Sequence, residues 1–117
     1  MSPKRGDQVP QPTTGSEWTI VFGTTEAAKG WQELENQAPG NLRKAWDTMR
    51  NDPGPGEPSD RHHQVYGHMA TAVFRGRTLA RWQIEVTSGG RIWYLIDEER
   101  RTVLVVRAST GHPKETE

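Results

Sequence analysis

Between Thr78 and Lys114 apolar and polar residues change places with the period of a β-strand, and a pair of glycines interrupts the run. Trp82, Ile84 and Val86 alternate with Arg81, Gln83 and Glu85, the pattern of a half-buried strand. Ser88-Gly89-Gly90 follows, and it is expected to supply the positive φ angles of a tight hairpin turn. The next strand begins at Arg91, with Trp93 and Leu95 on the arginine's face and Ile92, Tyr94 and Ile96 on the other. Asp97-Glu98-Glu99-Arg100 makes a polar turn, and Thr102 to Arg107 is rich in valine, as a covered strand is. Three consecutive antiparallel strands result. One face of such a meander has to be covered by something else in the chain.

The upstream residues supply the cover. Trp18, Ile20 and Phe22 alternate with Thr19 and Val21 as a short strand that Gly23 ends. Thr24 or Thr25 caps the helix that follows, and Glu26 in its first turn suits the helix dipole. Ala27, Trp31 and Leu34 recur at i, i+4 and i+7. Gly30 weakens that helix by about 1 kcal/mol relative to alanine, so tertiary contacts must support it. Pro39 suits the start of a second helix, in which Leu42, Ala45, Trp46 and Met49 form one stripe. Asn51-Asp52-Pro53-Gly54-Pro55-Gly56 stops it. A Pro/Gly-rich loop runs on to Asp60, Val65 and Tyr66 pin the segment after it, and Met69 to Phe74 form a further strand turned at Gly76. The expected fold is α+β: a twisted antiparallel sheet of about four strands with an N-terminal αα hairpin on one face. Residues 1–15, with three prolines and no hydrophobic period, read as a flexible arm. Residues 16–114 form one domain and 115–117 a tail.

Composition narrows the possible functions. No cysteine is present, so disulfides and thiolate chemistry are excluded. No apolar run approaches the ~20 residues of a membrane span, and the N-terminus lacks the apolar centre of a signal peptide. A cytoplasmic, membrane-free protein is the expectation. The net charge is zero but unevenly spread. Glu17 to Asp60 carries eight acidic residues against four basic, and Thr71 to Lys114 carries eight basic against four acidic. Such a dipole attracts an anionic polymer to one side of the molecule.

Several residues stand out for chemistry. Arg91 lies just past the glycine turn, where a guanidinium can grip a phosphate with two hydrogen bonds or pair with Glu85 across the hairpin. Gly111-His112-Pro113-Lys114 displays an imidazole, able to give or take a proton near neutral pH, beside a cation. Trp93 shares the face of Arg91 and offers a stacking surface to a base, whereas Trp82 is expected in the core. His62, His63 and His68 match no zinc spacing, so no metal and no cofactor are expected. There is no phosphate-binding glycine loop, nucleophile elbow or paired-carboxylate pattern.

Gly90-Arg91-Ile92-Trp93-Tyr94 resembles the Gly/aromatic-Arg-hydrophobic-x-Tyr strand of the RelE/ParE superfamily of type II toxins. The last strand, ending in Gly-His-Pro-Lys, and Gln64-Val65-Tyr66-Gly67 after the helices extend that resemblance over Trp18 to Lys114, closest to a RelE-like subgroup. The resemblance implies a ribosome-dependent messenger RNA endonuclease that inhibits translation, works without metal, and is neutralised by a cognate antitoxin. Its partners would be the antitoxin, the ribosome and messenger RNA, with DNA reached only through the antitoxin. Attack by a ribose 2′-hydroxyl on the adjacent phosphodiester needs a base, cations for the phosphorane charge and an acid for the leaving oxygen. On this resemblance Arg91 stabilises the phosphate, His112 takes the C-terminal catalytic place, and Glu85 or His63 is the base. Arg81, Arg107 and Lys114 add RNA-binding charge beside Trp93. Gln83 and Glu85 stand where well-known members carry two lysines, and no tyrosine follows the last strand. ParE-like relatives share the fold, inhibit DNA gyrase and lack the nuclease residues. A non-nuclease binder is therefore the alternative expectation.

Overall fold

The computed structural model describes residues 4–12 and 14–111. Its elements run β1 (Thr19–Phe22), α1 (Thr25–Gln37), α2 (Pro39–Asn51), β2 (His62–Gln64), β3 (Thr71–Phe74), β4 (Arg77–Glu85), β5 (Arg91–Asp97) and β6 (Thr102–Ser109). A single 3-10 turn at Gly67–Met69 links β2 to β3. The α+β class and the helical hairpin on one face agree with the reading of the sequence.

The sheet differs from that reading in two respects. It has six strands in the order β1-β6-β5-β4-β2, with β3 also paired to β4, and it is mixed. β1 lies parallel to β6, Ile20 opposite Val103 and Phe22 opposite Val105, while the remaining pairs are antiparallel. The helical hairpin separates β1 from the meander, so β1 is free to dock on the far edge in the direction of β6. The additional strand is His62–Gln64, which pairs with Trp82 to Ile84 directly after the Pro/Gly-rich loop.

Local chemistry accounts for the helices. Thr24 caps α1 by accepting a hydrogen bond from the Ala27 N–H at 3.0 Å, and its hydroxyl donates to the Val106 carbonyl at 2.9 Å. Pro39 opens α2 at a position whose N–H has no helical partner. Ala27, Gly30 and Leu34 of α1, with Leu42, Ala45 and Met49 of α2, turn inward. They meet Ile84, Ile92, Tyr94, Ile96, Val103 and Val105 from the sheet, and Trp82 packs at the border of this core. A Cβ at Gly30 would collide with the Ala108 carbonyl, so glycine is the residue that lets α1 lie this close to β6.

The turns are built differently from expectation. Neither Gly89 nor Gly90 has a positive φ. The β4–β5 connection closes instead through the Thr87 hydroxyl, which accepts from the Gly90 N–H at 2.8 Å, and through Val86 N–H to the Gly90 carbonyl. Gly90 is required for space: a Cβ there would meet Thr87 Oγ1 at 2.7 Å and Leu34 Cδ2 at 3.0 Å. Among the hairpin turns, positive φ angles occur in the β3–β4 turn, at Arg75 (51°) and Gly76 (78°), as a two-residue hairpin loop demands, and at Arg101 (44°) between β5 and β6.

His62 enters the helix side of the sheet, opposite Ile84. Its Nε2 lies 2.5 Å from the Tyr94 hydroxyl and 3.1 Å from the Pro53 carbonyl, and Tyr94 donates to that same carbonyl at 2.7 Å. The triad ties the Pro/Gly-rich loop to the core. Burial lowers the His62 pKa and raises that of Tyr94. On the outer side of α2, the buried Arg50 guanidinium donates to Gln11 Oε1, the Pro12 carbonyl and Glu17 Oε1, and sits 4.9 Å from the Trp46 ring.

Candidate functional site

The face of the sheet away from the helices carries six of the sequence-predicted residues: His63, Arg81, Glu85, Arg91, Trp93 and Arg107. Strand pairing arranges them in rows. In the first, Arg91 of β5 is flanked by Glu85 of β4 and Ser109 of β6, and Arg61 joins by accepting the Glu85 N–H at its carbonyl. In the second, Gln83 stands between His63 and Trp93, and Trp93 is opposite Arg107. In the third, Arg81 is opposite Leu95, and Val65 donates its N–H to the Arg81 carbonyl. Neighbours within a row sit about 5 Å apart, and successive rows about 7 Å apart.

Arg107 reaches this face through a bulge. Trp93 pairs with Arg107, yet Tyr94 pairs with Val105, so Val106 is an extra residue in β6. Strict alternation from the buried Val103 and Val105 would carry Arg107 to the helix side; the extra residue returns it to the open side.

The first row is an ion-pair cluster. Arg91 Nη1 donates to Glu85 Oε1 at 3.1 Å, and Arg61 Nε lies 3.5 Å from Glu85 Oε2. The Arg91 side chain is 33% exposed and that of Glu85 22%, so the pair stands at the surface rather than inside the protein. A guanidinium has five N–H donors, and among the described residues Arg91 donates only from Nη1. His63 in the second row has Nδ1 2.8 Å from the Gln64 carbonyl, so Nδ1 is assigned a proton. When the ring is neutral, its Nε2, 3.4 Å from Gln83 Nε2, carries the lone pair. The ring is stacked on Tyr66 at 4.9 Å with planes 11° apart. The arrangement therefore sets a carboxylate beside a partly open guanidinium, with the His63 imidazole on the same face two strands and one row away.

Arg107 lies over the Trp93 ring at 4.9 Å. Arg81 Nη1 contacts Met69 Sδ at 3.3 Å, and its Nε is buried without a hydrogen-bond partner among the described residues. His112 and Lys114 lie outside the described residues. Gly111, the last described residue, lies against Gly89 at the start of the first row.

Sequence reasoning missed Arg61, Tyr66, Met69 and the apolar contribution of Val65 and Val106. Arg61 had a signal: Arg61 and His63 share one face if the segment is a strand, while His62 takes the other. At the far end of the open face Leu79, Leu95 and Leu104 are buried under Ala72, Phe74 and Val106. Arg77 closes that end with two hydrogen bonds to Asp97, at 2.8 and 2.9 Å, which hold the Asp97 carboxyl below its ordinary pKa.

No family model matches the chain, and no curated protein matches it. Among solved structures it is similar to a chain of the toxin–antitoxin complex RelBE2 from Mycobacterium tuberculosis. The two share 20% identity over 80% of this chain and 96% of that one, with a TM-score of 0.46. Among the described residues no helix is long and apolar enough to cross a membrane.

Proposed function

We propose that the protein is the toxin of a type II toxin–antitoxin pair and acts as a metal-independent endonuclease on messenger RNA in the ribosome. The observation that carries this reading is the first two rows of the open face. A partly exposed arginine is paired there with a carboxylate, with an indole in the next row and an imidazole on the same face two strands from the arginine. The toxin motif around Arg91 in the sequence adds to it.

In the proposed reaction a ribose 2′-oxygen attacks its own 3′-phosphorus. Glu85 or His63 Nε2 takes the 2′-proton as the new P–O bond forms. The remaining donors of Arg91 bind the non-bridging oxygens as charge builds on them. The bond to the 5′-oxygen breaks, and an acid protonates that oxygen; His112, next after Gly111, is proposed for this step. The products are a 2′,3′-cyclic phosphate and a 5′-hydroxyl. In the absence of RNA, Glu85 holds Arg91 on the open side of the sheet.

The test is a purified translation system with mapping of messenger 5′ ends. Cuts within codons that leave 5′-hydroxyl ends, persist in chelator and vanish in Arg91→Ala support the proposal. An absence of cuts together with inhibition of gyrase supercoiling favours the non-nuclease reading instead.

A further inference from the structure

Most of the uncompensated positive charge of the open face does not lie at Arg91, where two guanidiniums and one carboxylate leave a single excess charge. There, Arg61 and Arg91 share the Glu85 carboxylate. It lies one to two rows along, where a cleft of about 260 Å³ is lined by Val65, Met69, Arg81, Trp93, Val106 and Arg107. Two guanidiniums line this cleft and no carboxylate does. Among the described residues neither Arg81 nor Arg107 has an acidic partner. The buried Nε of Arg81 has no partner, and its Nη1 contacts only a thioether, a weak acceptor. An unpaired buried donor costs stability, and an incoming anion would satisfy it. Met69 is 46% exposed and unbranched, so it can move aside to open that donor.

We infer that this cleft is a pocket for one nucleotide, distinct from the Arg91–Glu85 pair, with the phosphate held by Arg81 and Arg107 and the base against the Val65, Met69 and Val106 walls. Trp93 holds the Arg107 guanidinium over its own ring, and that guanidinium presents its outer face to the base. The volume is slightly below the 300–1,000 Å³ usual for small-molecule sites, which suits a single nucleotide and not a folded strand. Trp93 is two residues from Arg91 along β5, about 7 Å. The pocket would therefore take the nucleotide adjoining the scissile linkage and confer a base preference on the cut. The identity of that ligand as part of an RNA rests on the nuclease reading; the pocket itself rests on the two unpaired guanidiniums.

The experiment is a titration of the ¹⁵N-labelled full chain with adenosine 5′-monophosphate, followed at the Trp93 indole signal, which is assigned by its loss in Trp93→Phe. Saturable shifts at millimolar nucleotide are expected. Arg81→Met and Arg107→Gln should each weaken binding at least about tenfold. Arg81→Met keeps the aliphatic wall and removes the unsatisfied donor, so the variant should remain folded. Arg43→Ala, which neither lines the cleft nor touches the Arg91–Glu85 pair, should change nucleotide binding less than about twofold. Three results would overturn the pocket: no saturable shift, binding that survives both arginine substitutions, or tighter binding of an acidic peptide than of the nucleotide. Saturable binding with the expected arginine losses, in a protein that cuts no RNA, keeps the pocket and removes the nuclease reading.

Discussion

On the helix-covered side of the sheet Ile92, Tyr94, Val103 and Val105 are fully buried, while on the other side Arg91, Trp93 and Arg107 keep part of their surface in solvent. The same strands make both sides, one residue apart. Polar groups on the two sides are treated differently. His62 and Tyr94, drawn into the helix side, close a hydrogen-bond triad with the Pro53 carbonyl. On the open side Arg81 keeps a buried Nε with no partner. Buried polar groups without a partner are rare in folded proteins because each carries a desolvation cost. Arg50 Nε on the helix side also lacks a partner, but the other nitrogens of that guanidinium donate to Gln11, Pro12 and Glu17. The Arg81 guanidinium has only the contact of Nη1 with the Met69 sulfur among the described residues, so the contrast lies in how far each guanidinium is satisfied.

The sharpest break between the two sides comes from substitutions that alter chemistry but not folding. Arg91→Ala is expected to lower RNA cleavage by about two to three orders of magnitude, the usual effect of losing one preorganised charge-stabilising donor. Glu85→Gln keeps the shape and removes the base, and a loss of about 10²- to 10⁴-fold is expected if Glu85 takes the proton. If His63 takes it, Glu85→Gln will retain most activity and His63→Gln will not. Because the Arg91–Glu85 pair is partly exposed, either change should shift unfolding free energy by about 1 kcal/mol or less. Cleavage assays beside urea melts check both halves. A fall in stability as large as that of a core substitution would erase the contrast between the sides.

The converse experiment perturbs the closed side. Gly30→Ala, a change that stabilises an ordinary helix by about 1 kcal/mol, should destabilise here, since the new methyl meets the Ala108 carbonyl. A shift of about 1–3 kcal/mol is expected as α1 is pushed off β6. Tyr94→Phe leaves His62 without its hydroxyl partner and should cost a similar amount. Both variants should still cut RNA at a temperature where they are folded.

How far each side could be read from the sequence follows from the range of the interactions. Period-two alternation is local, so β4, β5 and the burial of Ile92, Tyr94 and Ile96 were legible. The helical stripe of Leu42, Ala45 and Met49 was legible for the same reason. β2 was not, because three residues after a Pro/Gly-rich loop are too few to show a period. The parallel docking of β1 on β6 depends on where the helical hairpin returns the chain, and no local residue encodes that. The Gly89-Gly90 pair suggested a positive-φ turn, but Gly90 answers to the space left by Thr87 in the same connection and by Leu34 of α1, and the second of these lies beyond any turn rule. The Arg81–Arg107 cleft needs three strands and a bulge to assemble, so single residues of it were visible and the cleft was not.

A smaller and pH-dependent effect sharpens the picture of the closed side. Burial holds the His62 pKa below its ordinary value near 6.5. The unfolded chain therefore takes up a proton in a range where the folded chain stays neutral. Stability is fully present above about pH 6.5, declines as pH falls, and loses this contribution entirely once pH passes the depressed folded value. The slope from this one group cannot exceed about 1.4 kcal/mol per pH unit. Urea midpoints between about pH 7 and 5, above the usual carboxylate range, should fall in the wild type and fall less in His62→Gln. Equal slopes in the two proteins would mean that the imidazole in the triad is not the titrating group.

The smallest effect is expected on the outer surface of the helices, where an ion pair has almost the same length as the one on the open side. Arg43 Nε lies 3.2 Å from Asp47 Oδ1, against 3.1 Å for Arg91 and Glu85. The Arg43 and Asp47 side chains are 68% and 50% exposed. Water screens such a pair, and ordering two long side chains offsets the remaining attraction, so Arg43→Ala should change stability by about 0.5 kcal/mol or less. The same substitution should leave cleavage and nucleotide binding unaltered. Length alone thus says little about what an ion pair does; its place on the sheet decides. If Arg43→Ala lowered cleavage as Arg91→Ala is expected to, the RNA path would have to cross the helices, and the assignment of chemistry to the uncovered side of the sheet would be lost.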